Sequence, residues 1–210
     1  MLLVGAGLVA LLAIGAIAFL IRNDEGSVRT SHPGPTPSED VPPETPALEF
    51  TKSTKVLVRT APGPENRRHR KAIERAATTV RSILTDLYTE AFLDPANWRQ
   101  GRYTDAFGAF AGGAKEEAEA HPDLLTAGAQ AGERYDSIVP ESGRVATRIL
   151  LDRSGWPTLL VSIVRFSAAA LGAEPFTFRS DGQFFFERIH GSWKIVSFHV
   201  TRTDAPSEGT

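Results

Sequence analysis

The chain has 210 residues, 41% of them hydrophobic and 23% charged, a globular composition with room for one domain plus attachments. Lys and Arg number 23 against 25 Asp and Glu, so the net charge of −2 provides no basic footprint for nucleic acid. Cysteine is absent, which excludes disulfide scaffolds, Cys-ligated zinc, iron–sulfur clusters, thiol nucleophiles and a lipid-anchored cysteine.

Residues 2–21 carry no charged or polar side chain, and the run stops at Arg22, Asn23, Asp24 and Glu25. As a helix it would span about 30 Å, the thickness of a bilayer hydrocarbon core, with every backbone group satisfied internally. Two other readings compete. Ala16-Ile17-Ala18 has the small residues of a signal-peptide cleavage site, but no Lys or Arg precedes the run. Gly5, Gly7 and Ala10 match the dinucleotide-binding pattern G-x-G-x-x-A, with Asp24 and Glu25 downstream. That helix would need a polar face and following βα units, whereas this one is apolar all round and leads into prolines. A transmembrane anchor over residues 1–22 is therefore expected, with no cofactor.

Residues 23–49 form an expected disordered spacer. Pro33, Pro35, Pro37, Pro42, Pro43 and Pro46 alternate with Ser, Thr, Glu and Asp, a mixture too polar to bury a core and stiffened toward polyproline II. A proline-rich ligand for an aromatic groove is the functional alternative.

A folded domain is expected over residues 50–204, with a flexible tail at 205–210. Lys55–Arg59 reads as a short strand. The Pro62-Gly63-Pro64 turn then launches a helix whose apolar positions, Ile73, Ala76, Ala77, Val80, Ile83, Leu84, Leu87, Tyr88, Ala91 and Phe92, recur at three and four. Asp94-Pro95 ends it and caps a short helix carrying Trp98. Tyr103, Ala106, Phe107, Phe110, Ala111, Ala114 and Ala118 predict a further helix stopping at His121-Pro122, weakened by Gly108, Gly112 and Gly113. After Gly132 the period becomes that of strands: 134–139, 143–152, 158–168, 176–179 with 184–189, and 193–202. Turn signals at Pro140-Glu141-Ser142-Gly143, Ser154-Gly155, Asp181-Gly182 and His190-Gly191 punctuate them. Helices followed by an antiparallel meander predict an α+β domain, with amphipathic helices packed on a curved antiparallel sheet.

Two sets of side chains are candidate sites. Arg67, Arg68, Arg70, Lys71 and Arg75, with His69 between them, form a basic patch at the start of the first domain helix. It suits anionic headgroups or an acidic partner, or is simply a solvated face. Positive charge at a helix N-terminus opposes the macrodipole, a small argument for a role. In the last strand, Val196, Phe198 and Val200 make one row, and Trp193, Ile195, Ser197 and His199 the other. If the second row lines a concave face, Ser197 and His199 become polar groups at the wall of a ligand pocket. No catalytic set is legible. Serine never appears as G-x-S-x-G, and His32, His69, His121, His190 and His199 show no H-x-x-x-H or H-x-E spacing, so neither catalytic nor metal-ligating residues are assigned.

The ending Gly182-Gln183-Phe184-Phe185-Phe186-Glu187-Arg188, then Gly191-Ser192-Trp193-Lys194-Ile195, is similar to the aromatic strand, turn and G-x-W-x-I/V strand that close nuclear transport factor 2-like proteins. With the apolar N-terminal helix, the spacer and the segment Leu124-Leu125-Thr126-Ala127-Gly128, the chain resembles the membrane-anchored cone-fold members of that superfamily in actinobacteria. Mce-associated membrane proteins are the nearest named relatives. The resemblance covers residues 65–203. It implies a curved sheet wrapped on helices, enclosing a cone able to hold a ligand, in a superfamily whose members include isomerases, dehydratases, transport factors and secretion-system subunits. The fold alone therefore assigns no activity.

The combined expectation is a non-enzymatic single-pass protein of the cell membrane, anchored through residues 2–21. Its domain would bind a protein partner or itself in an envelope transport or secretion system. A small-molecule binder, hydrolase or isomerase using the cone is the alternative. Orientation divides the signals. Arg22 and Arg29 follow the apolar run and nothing basic precedes it, which favours the domain inside, while the resemblance favours the domain outside, the side expected here.

Overall fold

The computed structural model describes residues 44–58, 67–173 and 175–206. The apolar run, most of the spacer and the Pro62-Gly63-Pro64 turn lie outside these residues. Among the described residues no helix is long and apolar enough to cross a membrane.

Five strands make one sheet in sequence order: β1 (Thr51–Val58), β2 (Tyr135–Leu151), β3 (Pro157–Gly172), β4 (Phe176–Ile189) and β5 (Ser192–Pro206). β2 to β5 form the expected antiparallel meander. β1 starts earlier than the expected Lys55 and pairs with β2 in parallel, Thr51 opposite Arg144 and Val58 opposite Leu151. Parallel neighbours need a long crossover, and the helical half of the domain is inserted there. β5 runs to Pro206, into the first residues of the expected tail.

Two expected turns are not turns. Pro140-Glu141-Ser142-Gly143 lies within β2, where Pro140 pairs with Ala168 and Ser142 with Ser167, leaving Glu141 as the extra residue of a β-bulge. A bulge tolerates proline because the ladder is already interrupted there. Asp181-Gly182 lies in the middle of β4. A Cβ at Gly182 would stand 2.6 Å from the Phe184 ring and 3.2 Å from Val200, so glycine is there for close packing. Ser154-Gly155 and His190-Gly191 do form turns. The second has φ of 49° and 87°, the left-handed pair that joins twisted antiparallel strands tightly. The bulges in β2 and between β4 and β5 add local bend and twist, and the sheet is curved.

α1 (Arg67–Tyr88) is the predicted amphipathic helix, with Ala76, Ala77, Val80, Leu84, Leu87 and Tyr88 buried on the sheet. It widens into a π-helical turn, Thr89–Leu93, that buries Ala91, Phe92 and Leu93 in succession. In this stretch the carbonyls of Glu90 and Ala91 accept from Asn97 Nδ2 (3.1 Å) and the Ala127 amide (2.9 Å). Asp94 caps α2 (Pro95–Trp98), accepting from the Ala96 amide at 2.9 Å as its sequence suggested. The single helix expected from Tyr103 to Ala118 is broken. A 3-10 turn at Ala106–Ala109 and an extended Phe110 precede α3 (Gly113–Ala120), because Gly112 takes φ of 55° and resets the chain direction. Short α4 (Pro122–Leu125) and α5 (Ala131–Arg134) complete the crossover.

Candidate functional site

The core face of the sheet is filled by side chains. Tyr88 stacks on Phe92 (centroids 5.7 Å) and meets Phe50, Phe166 and Phe184, while Phe92 also meets Phe166 and Phe178. These rings occupy the region between α1 and the strands at close-packed contact distances. The buried hydroxyls satisfy one another, Tyr88 with Ser180 at 3.0 Å and Thr147 with Ser162 at 2.9 Å. Burial pushes the Tyr88 phenol well above its ordinary value, and the Ser180 hydrogen bond only partly opposes this. Such a phenol stays protonated and acts as a packing element.

The expected pocket row on β5 does not share one face. Phe186 pairs with Ile195 and Phe185 with Ser197, so Val196 is an extra residue and the alternation slips by one. Ile195 is wholly buried in the core, whereas Ser197 and His199 are exposed on the opposite face. Phe198 and Val200 take the inward positions instead. The bulge also secures the crossover to this strand: the Ala111 amide donates to the Ile195 carbonyl at 2.9 Å, and Lys194 Nζ donates to the Gly108 carbonyl at 2.8 Å.

Trp193 goes elsewhere, to a groove of about 590 Å³ at one end of the sheet. In a meander alternate turns emerge at the same end, so the β2–β3 and β4–β5 turns lie side by side there, next to α1. Trp156 and Pro157 come from the first turn, Arg188, Gly191, Ser192 and Trp193 from the second, and Ala72, Arg75, Ala76, Thr79 and Ile83 from α1. Trp156 is 45% exposed. Its turn is tightly built: the Asp152 carboxylate accepts from the Ser154 amide (2.9 Å), the Ser154 hydroxyl (2.7 Å) and the Trp156 amide (2.9 Å). These hydrogen bonds, that of the Ser154 side chain foremost, hold the carboxyl below its ordinary range. The His69 ring meets Trp156 edge-on at 5.0 Å. Across the groove the Arg188 guanidinium donates to the Gly191 carbonyl at 3.0 Å.

The basic patch thus divides. Arg75 lines the groove, while Arg67, Arg68, Arg70 and Lys71 are exposed at the start of α1, whose first turn holds no acidic residue. Trp156 and Arg188 were not singled out from sequence. The available signal was that Trp156 directly follows the Ser154-Gly155 turn and Trp193 lies two residues after Gly191.

A second groove of about 650 Å³ lies among α4, α5 and the far end of β5. Its main cation is already engaged: Arg202 pairs with both oxygens of Asp204 (2.8 and 2.9 Å), donates to the carbonyls of Asp123 and Thr126, and stacks over Phe178 at 4.5 Å. Arg202 is a tie between α4 and β5. Tyr103 reinforces the same region by donating to the Gly128 carbonyl at 2.8 Å, and burial raises its phenol to about 12. Among the described residues no three His, Asp or Glu side chains are grouped to hold a metal. No family model, curated protein or solved structure matches the chain.

Proposed function

We propose that this chain is a non-enzymatic, single-pass membrane protein whose cone-fold domain is an interaction or assembly module of a cell-envelope transport or secretion system. In this reading residues 2–21 are the anchor, residues 23–49 hold the domain off the bilayer on its outer side, and Mce-associated membrane proteins of the nuclear transport factor 2-like superfamily are its kin. The observation that carries it is the contrast in packing. The interior, where a ligand-binding relative would keep space, holds Tyr88, Phe92, Phe166, Phe178 and Phe184 in mutual contact, while solvent-facing tryptophan and arginine line an open groove. Exposed aromatics beside arginine are the composition of protein interfaces.

Gentle extraction of the full chain followed by mass-resolved native sizing tests the reading. A complex heavier than the monomer is expected, and a lone monomer would defeat it. Orientation follows from Ser38→Cys, which introduces the chain's sole thiol. An impermeant thiol reagent should label it in intact cells; labelling confined to lysed cells would put the domain inside.

A further inference from the structure

We infer that the groove between α1 and the two sheet-end turns is the docking site for an acidic polypeptide segment of a partner protein, carrying an aromatic or branched aliphatic side chain among its carboxylates. This rests on the proposed assembly role and names its contact surface. Charge is the first argument. Arg75 and Arg188 line the groove and none of its lining residues is acidic, so nothing within it neutralises them. The exposed Arg67 and Lys71 on the same helix extend the positive field toward an approaching acidic chain.

The apolar half of the lining supplies the second argument. Among the described residues Trp156 is one of four large hydrophobics left exposed, and Trp193, Ile83 and Ala76 share the groove with it. Covering such a surface releases water from apolar area that the fold itself leaves open. Two guanidiniums beside two indoles match a segment that alternates carboxylate and apolar side chains, with bidentate pairing available at each arginine. The third argument is rigidity. Trp156 is fixed by the Asp152 hydrogen bonds and the His69 ring, and Arg188 by the Gly191 carbonyl, so little order remains to be imposed on binding. A bilayer surface offers anions too, but a plane meets only the rim of a recess between two turns and a helix, which favours an inserted chain segment.

The test uses the full chain in the cells that naturally produce it, with p-benzoylphenylalanine in place of Thr79 inside the groove and, as control, in place of His199 on the outer sheet face. After irradiation the adducts are sequenced by mass spectrometry. The expected Thr79 adduct lies on a segment of a different protein with an excess of Asp and Glu and at least one large apolar residue. The double variant Arg75→Glu/Arg188→Glu should lower its yield about tenfold, Arg75→Lys/Arg188→Lys should retain most of it, and the His199 position should not respond. A matching far-ultraviolet spectrum and urea midpoint establish that the variants fold. An adduct on phospholipid, on a second copy of this chain or on a segment without acidic excess overturns the inference, as does no adduct or a yield unmoved by charge reversal. If native sizing still finds the heavier complex under those outcomes, the groove inference alone falls. If the unaltered chain runs as a lone monomer, the assembly reading falls with it.

Discussion

The core face of the sheet and the groove at its end both rely on aromatic side chains, yet put them to opposite uses. On the core face Phe178, Phe184 and Phe186 are fully buried, the first two against other rings, so their chemistry is spent on holding the sheet to the helical layer. In the groove Trp156 stands 45% exposed, sharing an open lining with Arg75 and Arg188 as well as Ile83 and Trp193. The contrast between Trp98, 1% exposed, and Trp156 teaches that burial state, and not residue type, separates packed from open aromatics in this chain.

The largest effect should come from breaking the interior. Phe184→Ala is expected to cost about 3–5 kcal/mol in urea denaturation, the price of a cavity among rigid neighbours. A loss below about 1 kcal/mol would mean that the space was never closely filled. Next in size is Tyr88→Phe, which leaves the Ser180 hydroxyl buried without its partner and should cost about 1–3 kcal/mol. Adding Ser180→Ala removes the orphan, so the double variant should recover part of that loss; simple additivity would count against the pairing.

A smaller and pH-dependent effect distinguishes the two regions without mutation. All three tyrosines, Tyr88, Tyr103 and Tyr135, have phenols raised above their ordinary value of 10.0, in each case foremost by burial. Because the folded values are raised, their stabilising contribution is complete below 10.0 and is lost as pH rises through the folded values, which for Tyr103 is about 12. Tyrosinate absorbance should therefore develop late in the folded protein and near pH 10.0 in urea. Coincident curves would refute the burial. The smallest effect concerns the groove rim. The Asp152 carboxyl is lowered from 3.8, so its contribution is present above 3.8 and fades as pH falls below it through the folded value. Acid titration should shift Trp156 emission in that range, read against Trp156→Phe, and Asp152→Asn should abolish the shift. An unchanged emission would show that the turn does not depend on the carboxylate.

Residues with a local physical signature were legible. The three- and four-residue recurrence of Ala76, Val80, Leu84 and Leu87 located α1, the Asp94-Pro95 cap located α2, and the Ser154-Gly155 and His190-Gly191 turns were read correctly. The signals that misled are equally local. Pro140-Glu141-Ser142-Gly143 and Asp181-Gly182 carry turn chemistry, but pairing along β3 runs past both, absorbing the first as a bulge and using the second for close packing. On β5 one extra residue, Val196, reverses the facing of everything after it, which is why Ser197 and His199 left the expected pocket row.

By itself the sequence determined the classes of element, their order and the α+β character, because hydrophobic period and capping act over a few residues. It also determined the chemistry the chain lacks, thiols above all. Only the tertiary structure decided which aromatics are covered and which stay open, and that Arg75, Trp156, Arg188 and Trp193 meet. These residues come from three segments far apart in the chain. Their meeting depends on strand register and on alternate turns sharing one end of the sheet, both set by long-range pairing that no local pattern encodes.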